Sequence, residues 1–185
     1  MTKKLKRLKY GCVLLSCAVF LTGIKATAAG EDWNPEGLRE QKHQEAMSVA
    51  AQEWLADNRI VIPHDVRLAA EKAENETGIS RYLIMATCWI ESQCQNNVSN
   101  GDCKGLMQVN VVLHKALLNE YGGNWRNTYT NIMAGARLMQ YFTEHGAEDA
   151  GEICRRYHGE KKPGYSEYTR QICEIADMLA QEDSW

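Results

Sequence analysis

The chain lacks any Cys-x-x-C pair, any internal repeat and any low-complexity tract. Cysteines at that spacing are typical of zinc sites and redox motifs, so we expect no zinc site. The length of 185 residues is that of one domain, since domains commonly have about 100–200 residues. We therefore predict a single globular domain, which follows an N-terminal segment of different composition.

The apolar run over residues 10–24 has 15 residues, fewer than the roughly 20 that a helix needs to cross a bilayer. It follows five Lys and Arg residues and precedes the small-residue triplet Ala26-Thr27-Ala28. This layout predicts a cleaved secretory signal peptide over residues 1–29. Two alternatives remain open: an uncleaved membrane anchor, and a lipoprotein acylated at Cys17. The apolar residues after Cys17 disfavour the lipoprotein, because they continue the signal core.

Positive charge is scarce after the first residues. Six of the 21 Lys and Arg residues lie within residues 1–29, together with none of the 24 Asp and Glu residues, so residues 30–185 carry a formal charge of −9. Nucleic acids and anionic membrane surfaces attract proteins with excess positive charge. Neither is therefore an expected partner, and any association with a membrane would be peripheral.

Five cysteines follow residue 29: Cys88, Cys94, Cys103, Cys154 and Cys173. An exported chain meets oxidising conditions, so we expect disulfides. Cys94 and Cys103 enclose eight residues rich in Asn and Gly, and we predict that a disulfide between them stiffens this loop. The other three cysteines allow one further pair and leave one thiol, and the sequence does not assign that pair.

Helix caps and apolar spacing predict a mainly α-helical protein. A helix is predicted to start after Asn34 and to end near Asp57, within an N-terminal helical segment over residues 30–63. This segment either packs on the main domain or docks to a partner, and the apolar Trp54 and Leu55 favour packing. Further helices are predicted over residues 65–76, 81–92, 109–121, 131–146 and 148–159 and after Ser166, with Ser80, Asn131 and Ser166 as caps and Gly78, Gly122 and Gly159 as stops.

Glu91 follows the apolar sequence LIMATCWI directly. A carboxylate at the wet edge of such a helix loses solvation, and desolvation raises a carboxyl pKa until the group can serve as an acid near neutral pH. From composition alone, a solvated Glu at a helix end is the simpler interpretation. The segments that follow Glu91 shift the interpretation towards a working acid.

Four ordered segments carry a family resemblance: Glu91-Ser92 followed by GLMQVN at residues 105–110, NIMAGARLM at 131–139, ICRRYHG at 153–159 and YTRQI at 168–172. Together they resemble the motifs of the soluble lytic transglycosylases, a lysozyme-like family. The match extends over roughly residues 65–180 of the sequence. The short GLMQVN form is similar to that of the small members associated with type III and type IV secretion and conjugation systems.

The resemblance implies a mainly α, lysozyme-like (goose-type) domain over residues 64–185. It implies cleavage of the β-1,4 bond between N-acetylmuramic acid and N-acetylglucosamine in peptidoglycan, with formation of 1,6-anhydro-muramic ends. The implied reaction needs no metal and no organic cofactor. The expected partners are peptidoglycan glycan strands and a protein of a secretion or conjugation apparatus. The expected location is the periplasm of a Gram-negative bacterium.

The resemblance also assigns roles by position. Glu91 corresponds to the catalytic acid/base, and Ser92 to a residue that supports it. Gln108 corresponds to a side chain that contacts substrate in the cleft, with Met107 forming an apolar wall. Tyr157 corresponds to a tyrosine whose hydroxyl lies close to the catalytic Glu.

Two positions qualify this assignment. His158 stands where the family usually has Asn, so the subsite there is expected to differ. Asn131 is expected to be structural, as a helix cap. The loop between Glu91 and Gly105 is about one residue shorter than the common form, and its two cysteines replace other packing residues.

Two other functions remain open. A hydrolytic muramidase would need a second carboxylate, since glycoside hydrolysis normally uses a pair, and Asp102 is the nearest candidate in the loop. A non-catalytic glycan-binding assembly factor is the other alternative. The presence of Glu91, Gln108 and Tyr157 together disfavours it.

Overall fold

The computed structural model describes residues 35–161 and 164–183, so the predicted signal peptide lies outside the described residues. Within them the chain is mainly helical, as predicted. The helices are α1 (Pro35–Asp57), α2 (His64–Thr77), α3 (Arg81–Ser92), α4 (Lys115–Glu120), α5 (Thr128–Glu144), α6 (Ala150–Tyr157) and α7 (Glu167–Glu182). Three short strands, β1 (Ser99–Asn100), β2 (Cys103–Lys104) and β3 (Val109–Asn110), form an antiparallel sheet in the order β1-β2-β3.

The core is centred on α3 and α5. The middle of α3 is buried on every side, as its apolar sequence predicted, and it packs against α7 and α2. Helix α5 packs against α2 and buries Ile132, Ala136 and Met139, the face predicted for it. Because α3 is held from two directions, its last turn has a fixed place in the protein, and that turn carries Glu91.

Several helix ends follow the predicted chemistry. Gly78 closes α2 at φ +73°, a left-handed conformation that glycine adopts without steric cost. The Ser166 side chain caps α7 by accepting a hydrogen bond from the Thr169 amide at 3.2 Å. The predicted cap of α5 is wrong: Asn127 caps that helix, and its side chain accepts from the Thr130 amide at 3.0 Å. Asn131 lies inside α5.

The helix predicted over residues 109–121 is wrong in its first half. Val109 pairs with Lys104 in the sheet, and only Lys115–Glu120 is helical. The Asn110 side chain accepts hydrogen bonds from the amides of Val112 and Leu113 at 3.1 and 2.9 Å. Asparagine favours such turns over helix, and the valines before and after it favour strand.

Helix α1 packs against α7. Ala51 and Leu55 are buried, and the Ser48 hydroxyl donates to the Glu182 carbonyl at 3.1 Å. The segment before the main domain is therefore packed onto it, in the way that Leu55 suggested. Among residues 35–161 and 164–183, no helix combines the length and the apolar character that crossing a membrane requires.

Candidate active site

Glu91 lies in the last turn of α3, where the backbone leaves the helix abruptly. Gln93 and Cys94 both adopt positive φ, at +52° and +57°. Their amides donate to the carbonyls of Trp89 at 2.8 Å and Cys88 at 3.1 Å, which satisfies carbonyl groups that a helix end would otherwise leave unpaired. The turn therefore stops α3 just past Glu91 and directs the chain into the hairpin.

The Glu91 carboxyl is partly buried, and this burial raises its pKa above the usual range. Two neighbours act in the opposite direction. The Tyr168 hydroxyl donates a hydrogen bond to Glu91 Oε1, and the His158 ring contributes a favourable charge interaction with the carboxylate. Burial is the larger effect, so the net shift is upward, which suits a carboxyl group that must carry a proton.

Tyr168 and His158 form a stacked pair beside Glu91. Their ring centroids are 3.9 Å apart and their planes differ by 19°. Burial and the adjacent Glu91 charge raise the pKa of Tyr168 far above its usual range, so this hydroxyl keeps its proton and acts only as a donor to Glu91. His158, which stands where the family usually has Asn, thus stacks on the Tyr168 ring, and the hydroxyl of that ring bonds to Glu91.

Ser92 joins the end of α3 to the GLMQ segment. Its hydroxyl lies 3.0 Å from the Cys88 carbonyl and 2.8 Å from the Leu106 carbonyl, and the side chain is buried. The residue next to Glu91 is therefore tied to the loop on the other side of the site. Both contacts are to backbone carbonyls, not to Glu91, so the supporting role that the resemblance implies for Ser92 stays a prediction.

Asn131 fixes the GLMQ segment on α5. Its Oδ1 accepts from the Met107 amide at 2.8 Å, and its Nδ2 donates to the Lys104 carbonyl at 2.9 Å. Gly105 makes this contact feasible, since a Cβ there would lie 2.4 Å from Asn131 Nδ2 and the residue adopts φ +79°. Asn131 has a structural role, as expected, but it bonds the loop to α5 instead of capping the helix.

Met107 is not a wall of the cleft. Its side chain is fully buried, and its sulfur lies against Gly135 of α5 so closely that a Cβ on Gly135 would be 2.4 Å away. The Met107 backbone faces the other way. Its carbonyl accepts a hydrogen bond from the Tyr157 hydroxyl at 2.8 Å.

Tyr157 lies near Glu91, since the Glu91 charge together with burial raises the pKa of Tyr157, while its hydroxyl bonds to the Met107 carbonyl. The tyrosine that bonds to the acid is Tyr168. Both tyrosines fall inside segments of the family resemblance, which implied a place near the acid for Tyr157 and none for Tyr168.

A groove of about 440 Å³ lies against Tyr157. Tyr157 and Gln108 belong to its lining, with Cys103, Val109, Asn110, His114, Leu138, Tyr141 and Phe142. The Gln108 side chain donates to the Gly105 carbonyl at 2.8 Å, and its backbone adopts φ +47°. Gln108 thus lies in the groove, whereas Glu91, Tyr168 and His158 are not among the residues that line it.

Asp102 is exposed at the turn between β1 and β2. The groups that alter the pKa of Glu91, besides burial, are Tyr168 and His158, and neither is a carboxylate. Across residues 35–161 and 164–183, no group of three or more His, Cys, Asp and Glu side chains is arranged to hold a metal ion.

The predicted disulfide is not formed in the structure: Cys94 and Cys103 are both free thiols. The left-handed turn after α3 directs the chain so that Cys94 neighbours Cys88, whose thiol pKa rises through burial and through the Cys94 charge. Cys103 lies on β2 and lines the groove. The two side chains thus have different surroundings.

Comparison of the chain with family models, with curated proteins and with solved structures finds no match.

Proposed function

We propose that this protein is a peptidoglycan lytic transglycosylase that cleaves the β-1,4 bond between N-acetylmuramic acid and N-acetylglucosamine. The observation that carries the proposal is the Glu91 carboxyl: it is partly buried, its pKa is raised by that burial, the Tyr168 hydroxyl bonds to it, and it lies near Tyr157, which lines a groove. A carboxyl group that can carry a proton near a substrate groove is what glycosidic cleavage requires.

In the first step, Glu91 donates its proton to the glycosidic oxygen, and the bond from that oxygen to C1 of the muramic sugar breaks. The N-acetyl group of the same sugar stabilises the cationic C1, as in other substrate-assisted cases. The Tyr168 hydrogen bond and the His158 charge then stabilise the Glu91 carboxylate that remains.

In the second step, the Glu91 carboxylate removes the proton from the C6 hydroxyl of that sugar. The C6 oxygen attacks C1 and closes the 1,6-anhydro ring, which returns Glu91 to its protonated form. An internal nucleophile of this kind gains from proximity. One carboxyl group therefore serves both steps.

A lysozyme-like fold belongs to the proposal. Its support is the order of elements: a buried helix ends on the acid, a small antiparallel sheet follows at once, and the GLMQ segment returns to α5 through Asn131. The proposal also includes export to the periplasm, which rests on residues 1–29. Action on the wall for an envelope-spanning machine rests on the short GLMQVN form at residues 105–110, and recruitment by a partner protein rests on the formal charge of −9 over residues 30–185.

The test is a digestion of purified peptidoglycan followed by mass spectrometry of the soluble products. A transglycosylase releases 1,6-anhydro-muramic ends, whereas a muramidase releases reducing ends that are heavier by one water molecule. Anhydro products are expected. Reducing ends would assign hydrolysis instead, and the absence of any release at several pH values would favour a non-catalytic glycan-binding role.

A further inference from the structure

His158 lies at the end of α6, on backbone that is hydrogen-bonded on both sides. Its amide donates to the Cys154 carbonyl at 2.9 Å, and the Glu160 amide donates to the Arg155 carbonyl at 3.0 Å. The Arg155 guanidinium donates in return to the Glu160 carbonyl at 2.7 Å. The histidine ring therefore starts from a fixed point of the backbone, although the residue itself is exposed.

The Glu160 carboxylate joins this point to the first turn of α7. Its Oε1 accepts a hydrogen bond from the Thr169 hydroxyl at 3.0 Å and another from the Ser166 hydroxyl. Tyr168 lies between Ser166 and Thr169 in the sequence. Because these bonds do not involve the His158 ring, the backbone at Tyr168 should keep its place when that ring is removed.

The His158 ring covers one face of the Tyr168 phenol. The ring centroids are 3.9 Å apart and the planes differ by 19°, which is a face-to-face stack. Tyr168 is partly buried and packs against the core, whereas His158 is exposed. The phenol is thus held between the core and a surface side chain, and its hydroxyl bonds to Glu91 Oε1.

We propose that His158 is a positioning residue, whose ring stacks on Tyr168 and keeps the Tyr168 hydroxyl in hydrogen-bonding contact with Glu91. Rotation of Tyr168 about its Cα–Cβ bond to another staggered rotamer would move the hydroxyl away from Glu91 and would also break the stack. A flat ring can supply this contact and the amide of an asparagine cannot. Any effect on catalysis rests on the proposed function, whereas the stack and the hydrogen bond to Glu91 do not.

The ring of His158 and its charge have to be separated in any test, because the charge by itself also lowers the pKa of Glu91. Phenylalanine and asparagine are both uncharged, and only phenylalanine keeps a flat ring. His158→Phe and His158→Asn therefore form a matched pair, which differs in the stack on Tyr168 and not in charge.

The first measurement is the pKa of the Glu91 carboxyl in both variants, by NMR titration of the purified protein with ¹³C-labelled glutamate. Glu91→Gln identifies the signal. In His158→Asn the Tyr168 hydroxyl is no longer held at Glu91, so burial is opposed by one donor fewer. The pKa of Glu91 should therefore be higher in His158→Asn than in His158→Phe, and equal values would overturn the proposal.

The second measurement repeats the comparison in a Tyr168→Phe background, where the hydroxyl is lost but the ring at position 168 remains. The difference in the pKa of Glu91 between the two variants should vanish there, because it depends on that hydroxyl. A difference in Tm between them should persist in both backgrounds, since ring packing is lost in either case. A pKa difference of equal size in both backgrounds would show that His158 does not act through Tyr168, and the proposal would fail.

Release of anhydro products from peptidoglycan tests the catalytic consequence. His158→Asn should release product more slowly than His158→Phe, by less than the ~10²–10⁴-fold expected for loss of the acid itself, and the two should match in the Tyr168→Phe background. If the wild type releases no product, the proposed function fails, while the titrations still decide the role of His158. Equal release by His158→Asn and His158→Phe with Tyr168 intact would overturn the catalytic consequence.

Discussion

At the scale of the residue, Glu91 is controlled by opposing effects. Burial raises the pKa of its carboxyl, while the hydrogen bond from Tyr168 and the charge of His158 lower it. The protonated form is needed for the first step of the proposed reaction and the ionised form for the second. The hydrogen bond from Tyr168 limits how far burial raises the pKa of Glu91. Tyr168 is therefore a positioning residue that acts through Glu91.

Replacing Tyr168 by Phe removes the hydrogen bond that favours the Glu91 carboxylate. The pKa of Glu91 then rises further, because burial is no longer opposed by this donor. Activity falls as pH rises through the pKa of an essential acid, so the alkaline limb of the pH–rate profile should move to higher pH. Turnover should decrease by less than the ~10²–10⁴-fold expected for loss of the acid itself.

Tyr157→Phe is the matched control, since it removes a hydroxyl from the same region that bonds to the Met107 carbonyl instead of Glu91. This variant leaves the Met107 carbonyl without its donor, so the free energy of unfolding should fall by roughly 1–3 kcal/mol. The alkaline limb of its pH–rate profile should not move. If the limb shifts in Tyr157→Phe and stays in place in Tyr168→Phe, the assignment of the two tyrosines is reversed.

At the scale of the element, the site depends on a loop that the Asn131 side chain joins to α5. Asn131 bonds the segment containing Gly105 and Met107 to α5 from both of its amide atoms. Because the Ser92 hydroxyl also contacts this segment, the ends of α3, the loop and α5 form one hydrogen-bonded unit. A change in this loop should therefore lower the free energy of unfolding of the whole protein.

Gly105→Ala tests this unit. The added Cβ would lie 2.4 Å from Asn131 Nδ2 and the position has φ +79°, so we expect a loss of about 3 kcal/mol or more in the free energy of unfolding, from strain and from broken buried hydrogen bonds. Gly101→Ala is the control, with φ +60° but open space around the Cβ, and should cost about 1–2 kcal/mol. Equal costs in denaturant titrations would contradict this role of Asn131.

The elements also mark how far the sequence alone predicts the fold. Capping residues such as Ser166, stop residues such as Gly78 and the apolar run of α3 act locally, and they were interpreted correctly. The β3 strand was taken for a helix because its pairing with β2 depends on the turn over residues 105–108, where Gly105 and Gln108 have positive φ. The cap at Asn127 was missed because Asn131 is an equally good cap by type.

The site shows the same division. Glu91 and its desolvation follow from the apolar helix before it, which is a local property. The partner of the acid is not local: Tyr168 is 77 positions away along the chain, and whether it or Tyr157 meets Glu91 depends on how α6 and α7 pack. The free thiols of Cys94 and Cys103 depend in the same way on the turn after α3.

At the scale of the whole molecule, α1 is part of the packed structure through α7. Leu55 is 4% exposed and Met47, in the same helix, is 42% exposed. Leu55→Ala should therefore lower the free energy of unfolding by about 2–4 kcal/mol, while Met47→Ala should change it by less than about 0.5 kcal/mol. A denaturant titration in which both variants match the wild type would indicate that α1 does not contribute to the stability of the domain.

The central claim is that Glu91 is the single acid/base of a reaction whose nucleophile belongs to the substrate. The most direct test is anhydro-product release from peptidoglycan, measured in parallel for the wild type, Glu91→Gln and Asp102→Asn. We predict that Glu91→Gln loses at least the ~10²–10⁴-fold expected for general acid–base catalysis with its Tm maintained, and that Asp102→Asn, exposed at the hairpin turn, stays near wild type. Near-normal release by Glu91→Gln together with loss of release in Asp102→Asn would contradict both the acid and the mechanism.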